Sequence, residues 1–229
     1  MDLVAAAATP GAWVDSDWPL GSHAVSALVS IGKVGVVRYV PLPGNTSVGD
    51  ITRTELETIV AAGLELLLVQ HVRTPPWNPA LANGDRDAAA VLDHCAAIGY
   101  PHDAHVYLDL EGISGGAGAT TGYAIDWQHT IRSGLQAAGL YIGFAVPLHP
   151  ADLYNLPGFN TYWSDMADRQ VAVRGTAMIQ GPAVTIAGVE YDIDTCRKDK
   201  KGELPIACKM APPTRPELPR RASGLPPIS

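Results

Sequence analysis

Apolar residues recur along the chain in eight short runs that have the length and composition of β-strands. The runs are rich in Val, Leu and Ile and span residues 12–16, 34–40, 65–72, 105–111, 140–146, 160–165, 176–180 and 189–195. Between the first five runs, apolar residues repeat with the helical period at 22–32, 52–62, 85–98 and 123–138. We expect a left-handed glycine cap after these helices, at Gly32, Gly63, Gly99 and Gly139.

This alternation of strands and helices predicts an α/β fold with a parallel sheet covered by helices. Acidic residues end the first, fourth and eighth runs, and only closure into a barrel brings the first and last runs together. The last two connections are too short for a crossover helix, which needs about 10–12 residues with its loops. We therefore predict a TIM-like (β/α) barrel with five regular βα units followed by three strands with short connections, where an antiparallel strand is allowed.

Composition changes sharply after Cys196. Residues 197–229 hold 8 Lys/Arg against 3 Asp/Glu and are rich in Pro, whereas residues 1–196 hold 8 Lys/Arg against 20 Asp/Glu. We predict a glycoside-hydrolase-like barrel over 1–196 and a basic, Pro-rich C-terminal tail over 197–229. The acidic balance of the barrel argues against nucleic acid as a partner, because its phosphates would be repelled.

The chain has no apolar stretch approaching the roughly 20 residues of a membrane span, so we expect a soluble protein, and a monomer. Residues 1–13 include an Ala-rich run, but no Lys or Arg precedes it and Asp2 has the wrong charge for a signal peptide. We expect no classical signal peptide, or one already removed. Cys95 falls in a helical pattern and suits a small core residue, while a disulfide between Cys196 and Cys208 is left open.

Pairs of acidic residues separated by one position close three of the strand-like runs. Such a pair points to one face of a strand. In the fourth run, HVYLDLEG, one parity faces the barrel axis and holds Tyr107, Asp109 and Glu111. The other two pairs are Asp15 with Asp17 and Asp192 with Asp194. Carboxyl groups gathered at the catalytic end of a barrel drive their pKa values apart, which is typical of acid/base hydrolases and above all of glycosidases.

Polar and aromatic residues at other strand ends are candidates for substrate binding. Aromatic faces stack on sugar rings, and amide side chains hydrogen-bond hydroxyl groups, although ordinary barrel packing would use the same residues. The candidates are Asp17, Arg38, Tyr39, Gln70, His71, Tyr107, Tyr162, Trp163, Gln180 and Asp194.

We expect no cofactor and no bound metal. The glycine-rich loop at 112–122 lacks the Lys and the spacing of a nucleotide-binding loop. His102 and His105 precede the fourth strand, at the end opposite to the catalytic one, so structural roles are favoured over metal ligation.

Several segments together resemble a known family over roughly residues 12–196. They are the RY pair after the first helix, the phrases AAGLELLLVQHV and GDRDAAAVLDHCAAIGYP, the DLE acids and the closing YDID strand. This combination resembles the glycoside-hydrolase-like "domain of unknown function 1906" family, which is similar to the lysozymes of glycoside hydrolase family 25. The resemblance implies a β/α barrel with irregular final strands and a carboxylate-lined pocket.

The family-25 lysozymes cleave the bond between N-acetylmuramic acid and N-acetylglucosamine in peptidoglycan. If the roles of the lysozyme acids are transferred to the matching positions of this sequence, Glu111 is the proton donor, and Asp109 steadies the acetamido group or the reactive centre of the substrate. Asp15 and Asp192 match the acids of the first and last strands. The first strand reads WVDSD rather than GxDxS, so either Asp15 or Asp17 fills that role.

The resemblance and the residues together favour a lysozyme-like glycosidase that acts on the polysaccharide of the cell wall, in the cell envelope or outside the cell after export or lysis. One alternative is a non-catalytic glycan-binding barrel with the same carboxylate-lined pocket. A metal-dependent hydrolase that uses the Asp cluster ranks last.

Overall fold

The computed structural model describes residues 2–43, 49–149, 152, 156–165 and 174–212. Its strands are β1 Leu3–Ala7, β2 Gly11–Ser16, β3 Gly35–Val40, β4 Glu65–Gln70, β5 His105–Leu110, β6 Ala137–Ile142, β7 Thr161–Ser164, β8 Met178–Ile186, β9 Val189–Cys196 and β10 Ile206–Met210. Its helices are α1 Ser22–Ser30, α2 Arg53–Ala61, α3 Gly84–Ile98 and α4 Ala117–Ser133, and a 3-10 turn spans Pro79–Leu81.

Strands β2 to β9 form one closed ring in chain order. Neighbouring strands from β2 to β8 pair in parallel, and β9 closes the ring by pairing antiparallel to both β8 and β2. Helices α1 to α4 follow β2 to β5 one by one. The predicted TIM-like barrel is therefore confirmed, and the antiparallel strand is the last one of the ring.

A two-residue hairpin joins β8 to β9. Its residues, Ala187 and Gly188, have φ angles of 51° and 79°, as a type I′ turn requires at both positions. A bulge lies between Gln180 and Ala183, so that β8 changes register before it pairs with the acidic half of β9. This hairpin places the first residues of β9 at the end of the barrel where the parallel strands finish.

Two strands lie outside the ring. β1 and β10 pair antiparallel along their whole length, and Cys208 of β10 pairs with Leu66 near the start of β4. The expectation of an extended tail from residue 197 differs from the structure here, because Ala207 is packed in the barrel interior. The Pro-rich remainder, 213–229, lies outside the described residues.

The glycine caps were predicted correctly for three helices and wrongly for the fourth. Gly32, Gly63 and Gly99 have φ angles of 78°, 86° and 75°. Helix α4 instead ends at Ser133, and Gly139 lies inside β6. A Cβ at Gly139 would stand 2.6 Å from the ring of Tyr107, so this glycine makes room for a side chain of the barrel interior.

Alternation along each strand separates two apolar cores. The interior core includes Trp13, Val37, Leu67, Tyr107 and Trp163. The outer core, between the barrel and its helices, takes the other parity and includes Val106, Leu108 and Leu110 of β5. The face predicted for each residue of β5 up to Asp109 is therefore confirmed. Asp15 lies two positions after Trp13, and Asp109 lies two positions after Tyr107, so both carboxyl groups point inward.

All three cysteines are buried free thiols. Cys95 packs in the outer core, as predicted. Cys196 lies in the barrel interior and Cys208 in the outer core, which resolves the open question of a disulfide in favour of separate thiols. Within the described ranges, no helix is long and apolar enough to cross a membrane.

Candidate active site

The acids of β2, β5 and β9 meet at the end of the barrel where the parallel strands finish. Asp15, Asp109 and Asp192, together with Glu111 just after β5, line one cavity of about 280 Å³. Asp192 reaches this level because β9 runs antiparallel and pairs Asp192 directly with Asp15. Carboxyl groups that are up to 177 positions apart in the sequence thus share one mouth.

Gln180 of β8 joins the acids of the first and last strands of the ring. Its Nε2 donates to Asp15 Oδ2 and to Asp192 Oδ2, each at 3.1 Å. Its Oε1 accepts a hydrogen bond of 2.7 Å from the hydroxyl of Tyr141, which fixes the orientation of the amide. Tyr39 donates to the other oxygen of Asp15 at 3.4 Å.

Asp194 lies one layer deeper, directly below Asp15. It is fully buried and accepts a hydrogen bond of 2.9 Å from the indole N–H of Trp163. Burial raises its pKa well above the usual range, and the charge of Asp15 and a hydrogen bond to Asp15 add to the effect. A protonated Asp194 that donates to Asp15 accounts for this contact, since two carboxyl groups form a hydrogen bond only when one holds a proton.

Asp109 and Glu111 stand on the same side of the mouth. Asp109 is 3% exposed, and its Oδ1 has no hydrogen-bond partner among the described residues. The indole N–H of Trp77 donates to the backbone oxygen of Glu111 at 2.7 Å. A Cβ at position 143 would collide with the Glu111 carboxyl group. The glycine at this position therefore leaves the space that the Glu111 side chain occupies.

The carboxyl groups of Asp15, Asp109 and Glu111 have raised pKa values, and burial is the largest cause for each of them. Burial raises the pKa of Glu111 to about 7, helped by the charges of Asp165 and Asp192. Burial raises the pKa of Asp15 to about 7 against the lowering effect of its hydrogen bonds to Gln180 and Asp194. The pKa of Asp109 is also well above its usual range, through burial and then the charges of Glu111 and Asp15.

The described residues that line the cavity include several acids and neither Lys nor Arg. Its lining consists of Asp15, Ser16, Asp17, Tyr39, His71, Val72, Asp109, Glu111, Glu190, Tyr191 and Asp192. Among the described residues that line it there is thus no Lys or Arg to hold the carboxyl groups ionised. Such a site holds some of its acids protonated near neutral pH and others ionised, which is what general acid/base chemistry needs.

Two of the predicted binding residues face away from the cavity. Arg38 is fully buried on the outer side of β3, where it pairs with Glu55 of α2 at 2.6 Å. Gln70 lies between β4 and α4, where it accepts a hydrogen bond of 2.6 Å from Trp127 Nε1. The expected role in substrate binding does not suit either position, because neighbouring residues of a strand point to opposite faces.

The other candidates divide between the lining and the floor of the site. Asp17, Tyr39 and His71 line the cavity, and Asp17 is exposed. Tyr107 and Trp163 point inward but lie below the acids, with their rings 5.7 Å apart. Tyr162 packs in the outer core. The two floor residues therefore support the carboxyl groups and do not face the cavity.

Sequence reasoning missed several functional neighbours. Tyr141 orients Gln180, and its parity on β6 matches that of Asp109 in the paired ladder. Asp165 follows β7 and raises the pKa of Glu111, and Glu190 lines the cavity from the start of β9. The alternation of faces along β6 could have identified Tyr141 from the sequence. The positions of Asp165 and Glu190 depend on where the irregular last strands begin and end, which the sequence pattern does not show.

His102, before β5, and His105, the first residue of β5, lie at the end of the barrel opposite to the acids and do not line the cavity. His105 Nε2 lies 2.6 Å from Asn160 Oδ1, and its Nδ1 accepts from the backbone N–H of Ile206 at 2.8 Å. Burial lowers its pKa to about 4, which keeps the ring neutral. Among the described residues, no group of three or more acids, histidines or cysteines has the arrangement of a metal site.

A closed β/α barrel with acids of raised pKa at its catalytic end is an architecture of glycoside hydrolases and similar acid/base enzymes. The sequence matches the Rv2525c-like, glycoside hydrolase-like domain over residues 26–179, which is more than half of the chain. The chain belongs to this family. No curated protein sequence matches it significantly.

Solved structures share the fold at low identity. The Tat-secreted protein Rv2525c of Mycobacterium tuberculosis, in complex with HEPES, aligns with a TM-score of 0.62 at 16% identity, over 84% of this chain and 98% of that one. The catalytic domain of endolysin ply40 from bacteriophage P40 of Listeria monocytogenes aligns with a TM-score of 0.57 at 14% identity, over 82% and 94%. The autolysin LytC from Streptococcus pneumoniae gives 0.56 at 11%, over 81% and 46%.

Proposed function

We propose that this protein is a glycosidase that cleaves the glycan strands of peptidoglycan, with Glu111 as the proton donor and Asp109 assisting. The observation that carries the proposal is the position of the Glu111 carboxyl group in a cavity lined with acids, where burial raises its pKa to about 7. A carboxylic acid that keeps its proton near neutral pH, beside ionised carboxylates, is the equipment of glycoside hydrolysis.

Each residue has a role that fits its surroundings. Glu111 transfers its proton to the glycosidic oxygen as the bond to the anomeric carbon breaks, and the sugar ring gains positive charge. A water molecule then adds to the anomeric carbon and loses a proton to a carboxylate of the mouth, which completes the hydrolysis. Ionised Asp15 or Asp192 stabilises that charge across the mouth. Asp109 lines the cavity together with Glu111, and its carboxyl group accepts a hydrogen bond from the acetamido N–H of the substrate and holds it in place.

The acid-lined cavity suits a substrate that offers hydrogen-bond donors and no phosphate. Sugar hydroxyl and acetamido N–H groups both donate to carboxylates. The fold neighbours include an endolysin catalytic domain and an autolysin that was solved with a synthetic peptidoglycan ligand, which supports the cell wall as the substrate. An action in the envelope or outside the cell is supported by the Tat-secreted neighbour Rv2525c.

The decisive experiment compares wild type with Glu111→Gln on purified cell walls. Loss of turbidity and release of reducing ends should both fall by about a hundredfold or more, because the amide has the shape of the acid but no proton to give. Glu57→Gln, on the exposed face of α2, is the matched control and should keep full activity. Equal rates for Glu111→Gln would remove Glu111 from the mechanism, and no release by wild type would refute the activity.

A non-catalytic glycan-binding barrel is the second candidate, and the bonds of Gln180 favour it. This amide is already hydrogen-bonded to Asp15 and Asp192, which gives both acids fixed partners instead of leaving them free to react. Binding of muropeptides that is unaltered by Glu111→Gln, without new reducing ends from either protein, would establish this function over the first.

A further inference from the structure

Trp18 is unusual among the five tryptophans of the chain, because its side chain lies in solvent. It is 61% exposed, whereas Trp13, Trp77, Trp127 and Trp163 are between 0% and 6% exposed. It follows β2 immediately, two positions beyond Ser16 and beside the acid cavity. A large exposed aromatic ring next to a candidate active site is a candidate contact for a ligand.

The backbone around Trp18 is held in place. Its N–H donates to Ser16 Oγ at 3.2 Å, and the Ser16 hydroxyl donates to the backbone oxygen of Glu190 at 2.8 Å. Two residues further on, the N–H of Leu20 donates to Glu55 Oε1 at 2.9 Å. The backbone of the loop is thus fixed at both ends, so that only the side-chain torsions of Trp18 lose freedom when the ring binds a ligand.

A second cavity, of about 290 Å³, lies against this ring. It is lined by Trp18, Pro19, Thr185, Gly188, Val189 and Glu190. Glu190 also lines the acid cavity, which makes the two spaces neighbours along one surface. An aromatic and aliphatic floor with a hydroxyl and a carboxylate at its edge matches a sugar ring, which has an apolar face and polar hydroxyl groups around it.

A second exposed aromatic residue stands on the opposite side of the mouth. Phe144 follows β6 and is 52% exposed. In the ring of eight strands, β6 is four places from β2 in either direction, so the ends of these strands face each other across the barrel. The backbone oxygen of Phe144 accepts from Gly112 N at 2.9 Å, which ties it to the residue after Glu111.

We propose that the Trp18 cavity is a glycan subsite in which the indole stacks on a sugar ring of a polysaccharide that crosses the mouth toward Phe144. The ligand class rests on the proposed function. A polymer of hexoses is longer than the acid cavity, and the line from Trp18 to Phe144 passes over the acids, where the reactive bond would lie. The Trp18 subsite therefore selects long glycans over short ones.

The test uses Glu111→Gln protein, so that the glycan is not consumed, and β-1,4-linked N-acetylglucosamine oligosaccharides of six and two units as probes. Adding Trp18→Ala should weaken binding of the six-unit probe about tenfold, within the range of aromatic stacking. Binding of the two-unit probe, which fits in the acid cavity alone, should change less than twofold. Trp18→Phe should restore most of the affinity.

Fluorescence gives an independent readout that a structural role would not move. Because Trp18 is the exposed tryptophan, quenching by acrylamide reports mainly on this residue. The six-unit probe should protect the fluorescence from acrylamide, and the two-unit probe should not. Ile31→Ala is the matched control, since Ile31 is 54% exposed at the opposite end of the barrel, after α1. It should leave affinity and protection unchanged.

The outcomes separate this inference from the proposed function. Equal affinity of Trp18→Ala and its parent for the six-unit probe, or no protection of the fluorescence, would overturn the subsite. The subsite would also be overturned if the Glu111→Gln protein bound neither the six-unit probe nor insoluble peptidoglycan. If wild type releases no reducing ends while Trp18→Ala still weakens six-unit binding, the glycosidase proposal fails and the subsite stands.

Discussion

The acids that line the cavity and the acids at the opposite end of the barrel have opposite surroundings. At the end where the parallel strands begin, Lys209 of β10 lies 2.6 Å from Glu65, and Arg174 lies 3.6 Å from Asp199. At the other end, the acids of the mouth are surrounded by one another and by the neutral Gln180. Among the described residues, a Lys or Arg thus accompanies these acids at the strand starts, and none accompanies the acids that meet in the cavity.

This difference has a cost and a use. A buried carboxyl group without a cation favours its protonated form, so burial raises the pKa of the mouth acids, and ionising them weakens the folded state. The paired acids of the opposite end stabilise the structure instead. Acids kept near their titration point are suited to accept and donate protons, which supports the mouth as the candidate functional end.

Gly143→Ala should produce the largest change at the mouth after loss of Glu111 itself. The new methyl group would occupy the space of the Glu111 carboxyl group and displace it. Misplacing a catalytic group by about 1 Å can cost about a hundredfold, so we expect a loss of that order in the rate of reducing-end release. Gly118→Ala, which opens onto free space, is the control. Similar rates for both variants would contradict the assigned position of Glu111.

The rate should also fall with rising pH, about tenfold per pH unit above pH 7. Burial raises the pKa of Glu111 to about 7, and the proton that it donates is lost above that value. Initial rates measured from pH 5 to 9 check this, and the residual rate of Glu111→Gln should lack the decline. A rate that stays level up to pH 9 would mean that another group donates the proton.

Asp15→Asn should stabilise the protein at alkaline pH and much less at acid pH. The folded pKa of Asp15 is about 7 against an ordinary value of 3.8, so the free energy of unfolding declines as pH rises between these values. The amide removes this penalty, and we expect a Tm about 5 °C higher at pH 8, with the gap closing toward pH 4. Thermal melts at both pH values measure it, with exposed Asp17→Asn as the control. An equal gap at both would exclude ionisation of Asp15 as the cause.

Lys209→Met should have the smallest effect, on stability alone and in the opposite direction. It leaves the carboxylate of Glu65 without its cation at the end remote from the mouth, where Thr9 also donates to it. We expect a loss of about 1–2 kcal/mol and a Tm lower by about 4 °C, because the pair is partly exposed. Reducing-end release below the melting range should match wild type. A drop in rate comparable to that of Gly143→Ala would mean that the two ends are coupled.

Much of the barrel was predictable because its strands are short, apolar and regularly spaced. Seven of the eight strands of the ring were predicted to start within two residues of their observed start. β6 spans 137–142 against a predicted 140–146, and β8 ends at Ile186 against a predicted end at residue 180. β1 and β10 were missed for local reasons: LVAAA has the composition of a signal sequence, and IACKM lies in a basic, Pro-rich context. Their pairing joins the two ends of the described chain, and no local pattern reports such a contact.

The candidate site shows which inferences parity supports. Applied to β5, parity placed Asp109 correctly, and applied to β3 it would have chosen Tyr39 over its neighbour Arg38. The hydrogen bonds by which Gln180 joins Asp15 and Asp192 could not be predicted from the sequence, because they depend on a bulge in β8 and on closure of the ring. Convergence was expected to drive the pKa values of the acids apart, whereas the structure raises the pKa values of Asp15, Asp109 and Glu111 alike. The main cause, burial, follows from side-chain packing that only coordinates show.

The antiparallel pairing of β9 with β2 has a consequence for biosynthesis. Asp15 and its partner Asp192 are 177 positions apart, so Asp15 is made well before Asp192. A nascent or truncated chain that ends before β9 has neither a closed ring nor a complete set of acids. Any activity that depends on the shared acids therefore begins only after β9 has been made and has closed the ring.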